Sequence, residues 1–416
     1  MTPTHPLRLR GFRLLFAGRA LSLLGDGLVP AALVIAVTRA TGDVSALALV
    51  LGCALVPKLL LLPLGGVVAD RFDARRVALA TDLVRCAAQL FVGLELLGGE
   101  PSLVPIALAE AVGGAASAFS MPTQSPLVAG TVTDGAARQR ANSLLGVASS
   151  VTRLCGPAVA AALIWAAGPG LAFVLDAASF AVSAALLAVL RVERTPLPRA
   201  SMLADLKEGW SEVRSRDWYW TSLVAHATWN GAAAVLTTLG PGVAIHRLGG
   251  EGVWFWVLEA GAVGLVLGSL LAARARPRRP VLVANLGLAT YALPSALLAL
   301  AAPAPLLVAA YGLALTALGY LNPVWETVVQ QQVPPQALAR VTSYDWLLSL
   351  AAMPAGYALA PLAEGLWGPA VPLWVSAALV ATACLATAAV PGVRAIGAAR
   401  AGTAAPVAVA DRAVKG

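Results

Sequence analysis

Twelve apolar runs dominate this chain, at roughly residues 14–37, 45–69, 77–98, 103–127, 143–167, 170–191, 219–244, 253–273, 280–301, 304–329, 343–366 and 370–391. Each is long enough to cross the hydrocarbon layer of a bilayer as a helix, which takes about 20 residues. Strands are excluded, because an open strand in lipid leaves its backbone N–H and C=O groups without partners. Composition agrees: 59% of the 416 residues are hydrophobic and 12% are charged, against about 25% charged in soluble domains. The chain is expected to be an all-α integral membrane protein with 12 transmembrane helices.

The basic residues orient these runs. One set of alternate links comprises the N-terminal segment, the 70–76, 128–142, 274–279 and 333–342 loops, the central link and the C-terminal tail. It holds 23 of the 29 Lys and Arg residues, whereas the opposite set holds only Arg39 and Arg247. Cytoplasmic links retain positive charge, so both termini are expected to face the cytoplasm. The net charge of +8 is then a topology signal and needs no nucleic-acid partner. No small-residue cleavage site follows the basic N-terminal segment, so no signal peptide is expected. Cys53, Cys86, Cys155 and Cys384 all lie in apolar runs, at spacings that suit neither disulfides nor a metal.

The chain also repeats itself. SMPTQSPLVAGTVTDGAARQRANSLLG, from Ser120, aligns with YLNPVWETVVQQQVPPQALARVTSYDW, from Tyr320. Pro122 matches Pro323, Arg140 matches Arg340, and Gly168–Pro169 match Gly368–Pro369. The repeat is half the chain, so two six-helix halves are expected, residues 1–191 and 219–392. A cytoplasmic linker (192–218) joins them, and a tail (393–416) follows. The linker's DLKEGWSEVRSRDW is amphipathic and predicts a helix lying along the membrane surface. Parallel six-helix halves are an architecture of secondary transporters, with the substrate site at their interface.

Five charged residues, Asp70, Arg71, Asp73, Arg75 and Arg76, crowd the stretch GGVVADRFDARRV between two apolar runs. A plain basic loop accounts for the arginines but not for Gly66 or Asp70. Gly66 suits the close approach of two helix backbones. Asp70 suits capping a helix N-terminus or pairing with an arginine in a partly dry setting. The stretch resembles motif A of the major facilitator superfamily through Gly66, Asp70, Arg71, Arg75 and Arg76. The usual loop glycine is absent, and one extra residue precedes the paired arginines. Its DRFDARR form is similar to that of the drug- and siderophore-exporter branch, which includes the enterobactin exporter and macrolide efflux proteins. The resemblance implies that these five residues latch the cytoplasmic ends of the two halves and govern their switching. A second copy, GSLLAARARPRR from Gly268, keeps the glycine and the basic residues but has Ala272 for the aspartate. FRLLFAGRALSLLGDGL (12–28) and FVLDAASFAVSAALL (173–187) resemble the first and sixth spans of that branch. RLCGPAVAAAL (153–163) resembles its fifth span and, through Gly156 and Pro157, the glycine–proline motif of antiporters.

Ionisable groups at bilayer depth are costly and mark functional or paired positions. Asp26 follows Arg19 by two helical turns, so both share one face. Asp26 is a protonatable carboxylate in a central cavity, half of a structural ion pair, or a residue near the outer mouth. It is the first candidate for proton coupling and Glu110 the second, with Arg19 and Arg153 as cationic partners. Arg153 has no acid nearby in sequence; Glu110 and Asp26 are its candidate partners. Asp82 and Arg85, three apart, are expected to pair with each other. Lys58 and Asp176 also lie within runs, and Glu326 faces either the cavity or the cytoplasm. Trp229, Asn230, Tyr311, Trp325 and Glu259 are candidate cavity residues, because aromatic walls suit amphipathic ligands and stabilise cations. Trp218, Trp220, Trp367 and Trp374 read as interfacial belt residues.

No G-x-x-x-x-G-K-[ST] phosphate loop, metal-ligand spacing or catalytic constellation is present in the sequence. No enzymatic activity, cofactor or metal is expected. The expected protein is a proton-coupled secondary transporter, a monomer that exports a small amphipathic drug, antibiotic or siderophore by alternating access. Its alanine-rich composition suggests a GC-rich bacterial genome, and the expected location is the bacterial inner (cytoplasmic) membrane. The alternatives are a facilitator or importer of the same fold, and a non-transporting membrane sensor.

Overall fold

The computed structural model describes residues 5–41, 44–99, 102–192 and 202–397, and helix accounts for nearly all of them. The first half contains α1 (Arg10–Thr41), α2 (Val44–Phe72), α3 (Ala74–Leu97), α4 (Leu103–Ser120), α5 (Gln124–Thr131), α6 (Gly135–Ala167) and α7 (Pro169–Val189). A linker helix, α8 (Met202–Arg214), follows. The second half contains α9 (Asp217–Arg247), α10 (Glu251–Arg274), α11 (Pro280–Leu288), α12 (Ala292–Ala299), α13 (Ala304–Gln332), α14 (Leu338–Leu350), α15 (Met353–Trp367), α16 (Ala370–Ala386) and the short α17 (Pro391–Ala395). Residues 193–201 of the expected linker and 398–416 of the expected tail lie outside the described residues.

Several helices join end to end into one span. α4 and α5 make Leu103–Thr131, α11 and α12 make Pro280–Ala299, and α14 and α15 make Leu338–Trp367. A proline sits at or just past each break: Pro122, Pro294 and Pro354. Proline removes one helical N–H, and its ring pushes on the preceding turn. Ten segments among the described residues are long and apolar enough to cross a membrane. α6, bent by 45° past Gly156, makes an eleventh. α9 is the twelfth, 31 residues long and made more polar by His226, Trp229 and Asn230.

The duplication is visible in the backbone. Gly168 closes α6 at φ +79°, and Gly368 closes α15 at φ +73°. Only glycine takes this conformation without strain, and a proline follows each to start the next helix. Within each half the tightest packing is again equivalent. In α2 against α4, Gly114 lies on the backbone of Ala54, and Gly65 on that of Ala118. In α10 against α13, Gly264 lies on Gly312, and Gly319 on Leu265. Small residues let backbones touch, which is how helices associate in lipid without a hydrophobic driving force.

The outer surface is apolar: Leu60, Leu108, Leu362, Leu366 and Trp165 are all exposed. Such a belt is stable in lipid and not in water. Trp220, Trp367 and Trp374 are exposed, as belt residues would be, but Trp218 is buried in the core of the second half.

The two halves pack through α2 on α14, α6 on α10 and α13, and α5 on α13 and α14. These contacts lie toward the end that carries most of the arginines, here termed the basic end. Beyond the break in its span, α15 packs on α9 and α16 of its own half. The halves are closed together at the basic end and part toward the other.

Candidate functional site

The basic-end closure is built around one carboxylate. Asp70, near the end of α2, reaches across to the N-terminus of α14. Its Oδ1 accepts from the Ala339 amide at 3.1 Å, and its Oδ2 from the Arg340 amide at 3.1 Å and from Arg340 Nε at 2.9 Å. The first amides of a helix have no intrahelical acceptors and carry its positive dipole end. Asp70 therefore caps a helix of the opposite half. The guanidinium of Arg340 also reaches Asp205 at 3.3 Å and Glu208 at 2.9 Å, both on α8. Arg71 pairs with Asp205 at 2.6 Å. Asp205 thus bridges an arginine from each half, and the linker helix becomes part of the closure. Gly66 permits the approach: a Cβ there would lie 2.7 Å from the Ala339 carbonyl oxygen and from Ser343 Cβ.

The remaining motif residues act locally. Arg75 donates to the Ala188 and Leu190 carbonyls at 3.1 and 2.9 Å, closing the C-terminus of α7. Arg76 is exposed and has no hydrogen bond or ion pair among the described residues. Asp73 stands in the loop at φ +77°, a left-handed conformation that aspartate tolerates better than most residues. Its side chain accepts from the Arg75 amide at 3.0 Å and starts α3.

The pseudo-equivalent contact, α6 on α10, has no ion pair among the described residues. Gln139 of α6 donates to the carbonyls of Ala272 and Ala275 at 2.6 and 3.0 Å, capping the C-terminus of α10. Asn142 donates to Thr327 Oγ1 at 2.9 Å and Gln330 Oε1 at 3.0 Å, and Arg138 to the Gln330 carbonyl at 3.1 Å. The glycine has changed sides as well. Gly146 of α6 faces Ser269 of α10, while Gly268 packs on α13 of its own half. One contact is a carboxylate on a helix N-terminus; its counterpart is an amide on a helix C-terminus.

A second polar cluster lies inside the first half, between α1, α3, α4 and α7. Arg85 of α3 pairs with Asp26 of α1 and lies 3.9 Å from the Phe180 ring centroid. The expected Asp82–Arg85 pair does not form: Asp82 instead accepts from Ser183 of α7 at 2.7 Å. Glu110 and Asp176 are buried, and each keeps one carboxyl oxygen without a hydrogen-bond partner among the described residues. Arg19 makes no ion pair with Asp26; it lines a small polar cavity with Asp82, Ser22, Ser120, Thr123 and Ser183. Gly156 lies against the backbone of Gly27, next to Asp26, and so holds α6 on α1. The Pro157 side chain lies outside the described residues.

Other sequence candidates are scattered. Arg153 is exposed and pairs with neither Glu110 nor Asp26; its neighbour is Tyr311 of the second half. Trp325 is not free to wall a cavity. Its ring stacks on Tyr219 at 5.2 Å, meets His226 edge-on at 4.7 Å, and its Nε1 donates to Asp345 at 2.6 Å. Trp229 and Tyr311 both pack against Tyr291, at 4.7 and 6.1 Å between ring centroids. Asn230 donates to the His226 carbonyl in its own helix at 3.0 Å. Glu259 is half-buried and has no ion pair among the described residues. Sequence reasoning missed Gln139, Asn142, Asp205, Glu208 and the role of Arg340. Only Arg340 carried a signal, as the repeat partner of Arg140.

Comparison with known proteins settles the family. The sequence model of the Major Facilitator Superfamily matches residues 15–348. The chain belongs to the Major Facilitator Superfamily. Members of the superfamily are transporters, not enzymes, and this chain is a multi-pass membrane transport protein that takes a small-molecule substrate. No curated protein matches it. Among solved structures, it is similar to a bacterial homologue of the iron transporter ferroportin in an outward-facing state. Identity there is 18%, with 92% of this chain and 99% of that one covered at a TM-score of 0.77. The Escherichia coli fucose:proton symporter is 13% identical, with 91% and 97% covered at a TM-score of 0.73. The human organic anion transporter MFSD10 is 17% identical, with 92% and 100% covered at a TM-score of 0.71. At these identities the likeness shows the fold alone.

Proposed function

We propose that this transporter exports a small amphipathic organic compound, such as a drug, antibiotic or siderophore, in exchange for protons. It works as a monomer in a bacterial inner membrane, with the basic end and both termini in the cytoplasm. The two halves, 1–191 and 219–392, rock about a central site. In this reading the structure stands open to the outside. Gly66, Asp70 and Arg71 act with Arg340 to hold the cytoplasmic closure, Arg75 secures the C-terminus of α7, and Gly156 keeps α6 against α1. Aromatic and polar groups, Trp229, Asn230, Tyr311 and Glu259, contribute to the substrate side in the second half, where Arg153 faces Tyr311.

The observation that carries this reading is the cluster around Arg85. Asp26 holds Arg85, while Glu110 and Asp176 are buried beside it with oxygens unpaired. An ionised carboxylate at bilayer depth without a partner is costly, so a proton is its natural companion. Proton and substrate then favour different states, and that differential affinity couples them. The sugar, organic anion and iron named for the similar structures differ widely, so the fold does not choose the cargo.

The test is substrate-triggered proton flux in proteoliposomes across lipophilic cations, macrolides and siderophores, with wild type and Asp26→Asn. Flux in the wild type that is lost in Asp26→Asn supports exchange through Asp26. Flux retained in the variant moves the role to Glu110 or another acid. Binding with no flux for any compound refutes exchange and favours a facilitator or sensor.

A further inference from the structure

Another carboxylate lies between the halves. Glu326 of α13 accepts from Ser125 Oγ of α5 at 3.2 Å. The two residues are 201 positions apart, the same offset that relates Pro122 to Pro323. Ser125 and Glu326 are therefore each other's counterparts in the duplicated halves, and they meet at the pseudo-two-fold axis. In an exact repeat one residue would face its own copy. Here a hydroxyl faces an acid.

The surroundings of Glu326 lack positive charge. From α14 the facing acid is Asp345, which accepts from Tyr219 Oη of α9 at 2.7 Å, from Trp325 Nε1 at 2.6 Å and from Ser349 Oγ at 3.3 Å. Three donors stabilise the ionised form of Asp345. From α9 come Tyr219 and His226. From α6 come Asn142, which bonds Thr327 and Gln330, and Arg138, which is engaged by the carbonyls of Val132, Thr133 and Gln330. Arg216, at the start of α9, pairs with Glu212. No cation among the described residues pairs with either Glu326 or Asp345. Closing the basic end thus presses Glu326 between the halves beside a second carboxylate, with no cation paired to either among the described residues. Parting that end would give Glu326 water.

We propose that Glu326 is a proton-binding site on the pseudo-two-fold axis, filled while the basic end is closed and emptied when that end opens. The proposal rests on the exchange reading above and deepens it. If the basic end is cytoplasmic, the site takes its proton in the outward-open state and gives it up to the cytoplasm. The proton then moves inward as an exported compound moves outward.

The test reads conformation and protonation without a substrate. Spin labels are placed at Arg10→Cys and Ser215→Cys, both exposed at the basic end, in a background without the four native cysteines. Distances are measured in nanodiscs by pulsed electron paramagnetic resonance. In wild type the basic-end-closed population should fall by about tenfold between about pH 5.5 and 8.5, as proton linkage requires. Glu326→Gln should stay closed over the range, and Glu326→Asp should regain the titration. Infrared difference spectra should show a protonated-carboxyl band in the closed state that loses a component in Glu326→Gln. A Glu326→Gln protein that titrates like wild type, or a wild type with no titration, overturns the proposal. Exchange seen in proteoliposomes but unchanged in Glu326→Gln also overturns it and leaves the exchange reading standing. A Glu326-dependent titration with no proton flux for any compound does the reverse.

Discussion

Neutralising Asp70 should open the basic end. Asp70 accepts three hydrogen bonds, and its side chain and that of Arg340 are each only 5% exposed. A hydrogen bond to a charged group contributes about 1.5–3 kcal/mol, and removing one partner of a buried ion pair costs about 3–5 kcal/mol. Asp70→Asn keeps one carbonyl oxygen for the amides of α14, and Arg340 keeps Asp205 and Glu208. The loss therefore falls near about 2–3 kcal/mol, which at 1.4 kcal/mol per decade shifts the open-to-closed ratio by roughly 30- to 150-fold. The bonds bridge α2 and α14 and exist only in the closed state, so the cost falls on closure and not on the fold of either half. The assay is the same pair of spin labels across the basic end, with a thermal melt to confirm a folded protein. A folded Asp70→Asn protein whose distance populations match wild type would show that the cap on α14 does not hold the closure.

Two further changes probe the same surface. Gly66→Ala puts a methyl group 2.7 Å from the Ala339 carbonyl oxygen; it should wedge α2 from α14, lengthen the basic-end distance and abolish transport, while expression and the melt stay close to wild type. Gln139→Ala removes two neutral hydrogen bonds, worth about 1–3 kcal/mol together; the same labels should report a smaller shift than Asp70→Asn, and an equal or larger one would reverse the ranking of the two contacts.

The two contacts differ in what can loosen them. The α2–α14 side depends on charge and recruits the linker helix through Asp205, so salt and linker changes should act there first. The α6–α10 side depends on amides and small residues, with Gly146 facing Ser269, so it responds to shape more than to charge. Such asymmetry follows from the loss of the aspartate at Ala272, whose carbonyl now accepts from Gln139.

The sequence by itself determined the fold class, the twelve spans, the duplication and the motif at Gly66–Arg76. These rest on run length, charge distribution and spacing, which are properties of short stretches read in lipid. It also marked the Gly168 and Gly368 turns, because positive φ is a local demand. Tertiary structure alone decided who partners whom. Arg85 lies one helical turn from Asp82, yet it takes Asp26 from another helix, because Ser183 occupies Asp82 and Phe180 lies under the guanidinium. Arg153, expected to need an acid, pairs with none among the described residues. Trp325, a cavity candidate by residue type, is fixed by Tyr219, His226 and Asp345. The closures by Arg340, Gln139 and Glu326 were illegible for one reason: each joins residues more than 130 positions apart, and only the docking of two finished halves brings them within hydrogen-bonding reach.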